Sequence, residues 1–313
     1  MIDNSNATRM DVLAMELNNK NKKWIHVGTI KKIYIYPLLS CKPIELTHCE
    51  IGRYNLITIQ NEFILRNNMF VIYDDSTKCT IQDKKDPRLN SLEMIPMTEY
   101  KIKLAGEGMP DLVLDIMVIQ NISTRISALT SSHDKFLIGL NCIDCGTKAA
   151  AWISRYLQNS NARLGYNIPQ NKSLEPFEYK YNFLKENNVD ITVPYENFPS
   201  CQLLSENSLS YVNSRLNHSV HTNDFQANIV FAPFHDTSFT EFKWEWINIG
   251  NAIMKNVKPL HVESDIPVDM ALNLMHLLCE VYIPGCAFIN NIVYIRVNKN
   301  DSEYEEEHVR LIH

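Results

Sequence analysis

No apolar run in this 313-residue chain approaches the roughly 20 residues that cross a bilayer, which excludes an ordinary membrane-spanning helix. No secretory signal precedes its eight cysteines, so the thiols are expected to stay reduced and the chain to be cytoplasmic. It has no excess of positive charge: 30 Lys and Arg against 36 Asp and Glu leave a net charge of −6. Phosphate backbones need a basic surface, so nucleic acid is excluded as a general partner. No repeat and no low-complexity tract is present. Cys142 and Cys145 form the one tight cysteine pair, and no second pair exists to complete a zinc site.

What is present is ordinary for a globular protein: 45% hydrophobic and 21% charged residues. The length allows one large domain or two modest ones. Strand signals dominate. Ile33 and Ile35 alternate with Tyr34 and Tyr36 in a strand over 27–38 that Pro37 brings to an end. Glu45 to Glu50 reads as a second strand. Phe63 to Tyr73, the polar Asp74-Asp75-Ser76 and Cys79 to Gln82 read as a hairpin. Leu112, Leu114, Ile116 and Val118 alternate as another strand. Asp144 precedes a helix whose apolar stripe is Ala149, Trp152, Ile153, Tyr156 and Leu157. Residues 167–200 read as a long connection, and Tyr282 to Val297 as two last strands. Residues 1–23 read as a mobile arm with a short amphipathic turn at Val12, Leu13 and Leu17. Residues 300–313 form an acidic tail.

The stretch Gln202 to Gly250 is the richest. Ser205 is placed to cap a helix with Leu209, Val212 and Leu216 on one face, and Arg215 falls in its expected last turn. Phe225-Gln-Ala-Asn228 leads into the apolar Ile229-Val-Phe231. Phe242, Trp244 and Trp246 alternate with polar residues as in a half-buried strand. This stretch resembles the MOSC domain, the molybdenum-cofactor module of cofactor sulfurases and of amidoxime-reducing proteins. Members carry a similar LSE-x-SL…LN-x-RL, an F-R-P-N-I-V and a Trp-bearing strand ending in IG. VGTIKKIYIYPLLSCK at 27–42, DPRL at 86–89 and DCGTKAAAWISRYL at 144–157 are similar to further family motifs, in the right order.

The resemblance implies an α+β, β-rich fold. A MOSC-associated, barrel-like N-terminal domain would span 24–165 and the MOSC β-barrel 166–299, with peripheral helices and a pterin cofactor between the two domains. It implies a molybdenum held by a pterin dithiolene and one protein thiolate, the pterin phosphate being held by Lys, Arg, Ser and backbone donors. Electrons would come from a cytochrome b-type donor and its flavin reductase. Two family positions are retained, Ser40 and Asn228. The family's lysine falls at Leu39, its arginines at Met69 and Gln226, and its metal-binding cysteine at Glu263; no cysteine occurs between Cys201 and Cys279. A charge-assisted hydrogen bond contributes about 1.5–3 kcal/mol. Losing three cations would then cost about 4–9 kcal/mol, on the order of 10³–10⁶ in affinity. The molybdenum pterin is accordingly expected to be lost.

One local pattern points to another chemistry. On a strand, His261, Glu263 and Asp265 share a face, and imidazole with two carboxylates suits a harder divalent ion. Three readings follow. The first is a MOSC protein with a degenerate cofactor site that binds a small ligand or a protein. The second is an active molybdenum-dependent reductase of N-hydroxylated compounds. The third is a non-molybdenum metal site on the His261 face.

Overall fold

The computed structural model describes residues 9–83, 85–131, 137–168, 201–235, 238–256, 272 and 275–299. Helix α1 (Arg9–Leu17) leads into the long β1 (Lys22–Ile35). Short strands follow: β2 (Ile44–Leu46), β3 (His48–Ile51), β4 (Leu56–Gln60), β5 (Phe63–Arg66) and β6 (Phe70–Asp74). Next come β7 (Glu93–Thr98), β8 (Lys101–Ala105), β9 (Leu112–Asp115), helix α2 (Ile116–Gln120), β10 (Arg125–Ser131), β11 (Leu137–Asp144), helix α3 (Thr147–Tyr156) and β12 (Ala162–Asn167). Past residue 200 lie β13 (Cys201–Ser205), helix α4 (Glu206–Asn213), β14 (Ile229–Pro233), β15 (Trp246–Ile249), β16 (Ala252–Asn256), β17 (Leu277–Ile283), β18 (Gly285–Phe288) and β19 (Ile292–Asn298).

Seven strands close into a barrel in the order β14-β13-β17-β16-β15-β19-β1, with β1 pairing back onto β14. β1 achieves the closure through its length. Lys22 to Thr29 pair with β19, while Gly28 to Ile33 pair with β14. The two ladders overlap at Gly28 and Thr29, and a Cβ on Gly28 would stand 2.4 Å from the Ala232 carbonyl oxygen, so only glycine fits there. The end of β1 also carries β2. Three further sheets surround the barrel: β10-β11-β12-β6, β18-β3-β4-β5 and β7-β8-β9. The chain crosses between its halves twice, since β1 completes the barrel and β18 pairs with β3. The architecture is the β-rich barrel with few helices that the resemblance implies.

Helix α3 forms as its stripe predicts, burying Ala149, Trp152, Ile153 and Tyr156. Its entry is held by Asp144, whose carboxylate accepts Arg163 Nε at 2.6 Å, Arg163 Nη2 at 2.8 Å, the Gly146 N–H at 2.7 Å and the Tyr73 hydroxyl. The Asp-Cys-Gly run is therefore a structural joint. Cys142 and Cys145 are both buried.

Several expectations are corrected. Residues 9–23 are not an arm: α1 buries Leu13 against Trp246 and Tyr282, and Lys22 and Lys23 already lie in β1. The strand expected over 27–38 runs from Lys22 to Ile35, so Tyr36 lies past its end. The strand expected through Val118 stops at Asp115, whose carboxylate caps α2 by accepting the Met117 and Val118 N–H groups. Ser205 caps α4 as expected, but the helix ends at Asn213. Arg215 thus lies beyond it, with its guanidinium 3.6 Å from the Tyr211 ring centroid. Phe242 lies in a 3-10 turn (Thr240–Lys243) and Trp244 caps it; both are buried without belonging to a strand. Of the segment expected as a connection, 167–200, Asn167 ends β12 and residues 169–200 lie outside the described residues, as does the acidic tail. Among the described residues no helix is long and apolar enough to cross a membrane.

Candidate functional site

Beyond β1 the chain runs over Pro37 to Cys41 against the Asn67–Phe70 turn. Asn68 N donates to the Tyr36 carbonyl at 2.7 Å, Phe70 N to the Pro37 carbonyl at 2.8 Å and Leu39 N to the Phe70 carbonyl at 3.0 Å. From the other half, the turn Phe225 to Asn228 enters β14 beside the same segment. The Tyr36 hydroxyl donates to the Ala227 carbonyl at 3.3 Å, and Tyr34 N to the Asn228 carbonyl at 2.7 Å. This seam, between the barrel and the sheets of the first half, holds the expected cofactor positions Ser40, Gln226 and Asn228.

Ser40 and Gln226 are brought into contact: Gln226 Nε2 donates to Ser40 Oγ at 3.0 Å. Asn228 is buried and committed to the protein. Its Nδ2 donates to the Tyr34 carbonyl and to Asn67 Oδ1, both at 3.3 Å, while its Oδ1 accepts the Gln202 N–H at 3.1 Å. Met69 is buried in the core, and Leu39 packs against the cluster of Val71, Tyr73 and Leu140. Cys41 is buried too, which pushes its thiol well above the usual range and disfavours the thiolate. His261, Glu263 and Asp265 lie outside the described residues. Among the described residues no three of His, Cys, Asp and Glu group as metal ligands.

Sequence reasoning missed the residues that carry most of the seam's polarity. Arg66 ends β5 and is 7% exposed. Its Nη2 donates to the Asn167 carbonyl and its guanidinium lies 5.3 Å from the Tyr166 ring centroid. Burial lowers its pKa, and Tyr166 partly offsets this. Asn167 Nδ2 donates to the Asn68 carbonyl at 3.0 Å. The polar Arg66-Asn67-Asn68 run before an apolar strand was a visible signal. Asn167 and Gln202 gave none. Nearby, a groove between Lys42–Ile44 and Glu93–Pro96 opens to solvent; its ammonium, from Lys42, is paired with Glu93.

The three positions where the resemblance places cations for the molybdenum pterin hold none. The pterin phosphate needs fixed cations, yet Leu39 and Met69 are apolar and packed, and Gln226 is uncharged and spent on Ser40.

Residues 27–160 match the MOSC N-terminal beta barrel domain. That stretch belongs to the MOSC family. The chain is 28% identical over 242 residues to mitochondrial amidoxime reducing component 2 of Bos taurus, covering 76% of this chain and 66% of that one. It is 29% identical over 241 residues to the Rattus norvegicus protein of the same name, covering 74% of this chain and 64% of that one. It is 22% identical over 266 residues to molybdenum cofactor sulfurase of Homo sapiens, covering 78% of this chain and 27% of that one. The matched stretch thus spans less than two thirds of these relatives' own length.

Proposed function

We propose that this MOSC protein no longer holds the molybdenum pterin associated with its family and works by binding, its seam taking another small ligand. The observation that carries this reading is the Gln226–Ser40 hydrogen bond, which joins two of the expected cofactor positions to each other. Asn228, spent on Tyr34, Asn67 and Gln202, adds support. The protein works in the cytoplasm on this reading and has no need of an electron donor.

A second reading is favoured by the similarity to amidoxime reducing components: an active molybdenum-dependent reductase of N-hydroxylated compounds, which on the family resemblance would be served by a cytochrome b-type donor and its reductase. Metal analysis separates the two. Purified protein should contain molybdenum far below one atom per chain by mass spectrometry, and near-stoichiometric molybdenum overturns the proposal. Another transition metal near one per chain would favour a site on the His261, Glu263 and Asp265 face. Combining Leu39→Lys, Met69→Arg, Gln226→Arg and Glu263→Cys should restore molybdenum binding if the seam is degenerate but still open.

A further inference from the structure

Strand β7 is a sheet edge: among the described residues it pairs only with β8, which pairs in turn with β9. In an antiparallel strand the N–H and C=O of one residue point to the same side, and successive residues alternate. The Ile116 N–H donates to the Tyr100 carbonyl at 2.8 Å, which extends the β8–β9 ladder by one pair and fixes its parity. Ile102 and Leu104 therefore bond to β9, while Lys103 and Ala105 bond to Ile95 and Glu93 of β7. Met94 and Pro96, the alternate residues of β7, turn their main chain to the open edge. The contacts along that edge agree. The Leu92 carbonyl accepts the Lys42 N–H at 3.2 Å, and the Pro96 carbonyl accepts Asn61 Nδ2 at 2.9 Å. Proline at an outward position costs the sheet no donor.

Met94 stands between those two contacts, and its N–H and carbonyl face the groove between Lys42–Ile44 and Glu93–Pro96. The lining says what fits there. Its two charged side chains, Lys42 and Glu93, are paired with each other, so a charged ligand finds no unspent counter-charge. The volume, about 230 Å³, is below the ~300–1,000 Å³ of sites that enclose whole small molecules. The Lys42–Ile44 wall stands across from β7 and blocks the approach of another folded sheet edge, that of a second copy included. A lone extended chain meets all three conditions. Antiparallel pairing satisfies both groups of Met94 with a single residue, whereas parallel pairing needs two. The contacts at Leu92 and Pro96 leave room for one. That residue sends its side chain to the same side of the sheet as Met94, beside the apolar Ile44.

We propose that this groove docks an extended, uncharged segment of a partner protein, added antiparallel to β7 at Met94, with a branched aliphatic residue opposite Met94. The main chain supplies two hydrogen bonds and the single side chain supplies selectivity. None of the groove residues is an expected cofactor position, so the site stands whether or not the seam holds a pterin.

The test is amide hydrogen exchange of the full chain, followed at residues 93–96 while the capped peptide acetyl-Thr-Val-Thr-amide is titrated in. At about ten times its Kd the peptide should slow exchange of the Met94 amide about tenfold. The same peptide methylated on the valine nitrogen cannot donate to the Met94 carbonyl and should protect far less. Asn61→Gly frees the Pro96 carbonyl and suits the left-handed backbone there, with φ of 49°. A five-residue peptide, acetyl-Thr-Val-Thr-Val-Thr-amide, should then bind about 2–10-fold more tightly to the variant than to wild type, through one added hydrogen bond. Protection that never saturates, or equal protection by the methylated peptide, overturns the site. Unchanged or weaker binding to Asn61→Gly overturns the register at Met94. Protection that grows with protein concentration alone, together with a dimer in sedimentation, names a second copy as the occupant and overturns the partner segment.

Discussion

Gln226 Nε2 donates to Ser40 Oγ at 3.0 Å, and both residues hold left-handed backbone, with φ of 50° and 60°. Such a conformation costs a side-chain-bearing residue roughly 1–2 kcal/mol, and the bond returns only part of that. Gln226→Ala should destabilise by about 0.5–1.5 kcal/mol through the lost bond. Gln226→Gly loses the same bond but relaxes the backbone, so it should be less destabilised than the alanine variant. A double-mutant cycle with Ser40→Ala in urea should return a coupling of about 0.5–1.5 kcal/mol. Additive effects would deny the contact.

Trp152 stacks on Tyr156 with ring centroids 5.5 Å apart, and its Nε1 donates to the Pro110 carbonyl at 2.6 Å. Trp152→Ala should cost about 3–5 kcal/mol by leaving a cavity. The measurement is a denaturant titration; a loss under about 1 kcal/mol would mean that α3 does not pack in this way.

Glu241 is 2% exposed and accepts the Ser208 hydroxyl at 2.5 Å. Burial raises its pKa from 4.5 to about 7, against the smaller pull of Ser208. The unfolded chain thus releases this proton at lower pH than the folded one. The group's contribution is fully present below pH 4.5 and is lost as pH rises to about 7. Glu241→Gln should flatten that fall and be the more stable protein at pH 8, by up to about 3 kcal/mol. Parallel stability curves for the two proteins between pH 5 and 8 would reject the assignment.

Asp144 behaves in the opposite sense. Burial alone would raise its pKa, but Arg163, Tyr73 and the Gly146 N–H together hold it below the usual 3.8. Its stabilisation is present above the unfolded value and disappears as pH falls through the lowered one. Asp144→Asn should cost about 2–3 kcal/mol at pH 7, below the 3–5 of a fully buried pair because Arg163 keeps some exposure. The same variant should lose less stability than wild type on acidification, as followed by circular dichroism. An unchanged acid limb would show that Asp144 does not carry it.

The family and the type of several elements were legible in the residues because their signals are local. The stripe of α3 repeats at helical spacing within ten residues, and Ser205 caps α4 from the position just before it. Local signals also misled. Phe242, Trp244 and Trp246 alternate as a strand would, yet only Trp246 is in one; a 3-10 turn buries the other two by wrapping onto the core.

The sequence by itself determined which residues stand where the resemblance puts the family's cations and cysteine, Leu39, Met69, Gln226 and Glu263, since that is a matter of residue identity. It also determined the β-rich architecture, through ordered motifs and apolar alternation. Only the tertiary structure decided what the seam contains. Arg66 meets Asn167 across 101 residues, Ser40 meets Gln226 across 186, and Asn228 meets Tyr34 across 194. No periodicity encodes such contacts. They exist because closing the barrel through β1 folds the two halves onto one another, and burial then makes each polar atom's partner, or lack of one, matter.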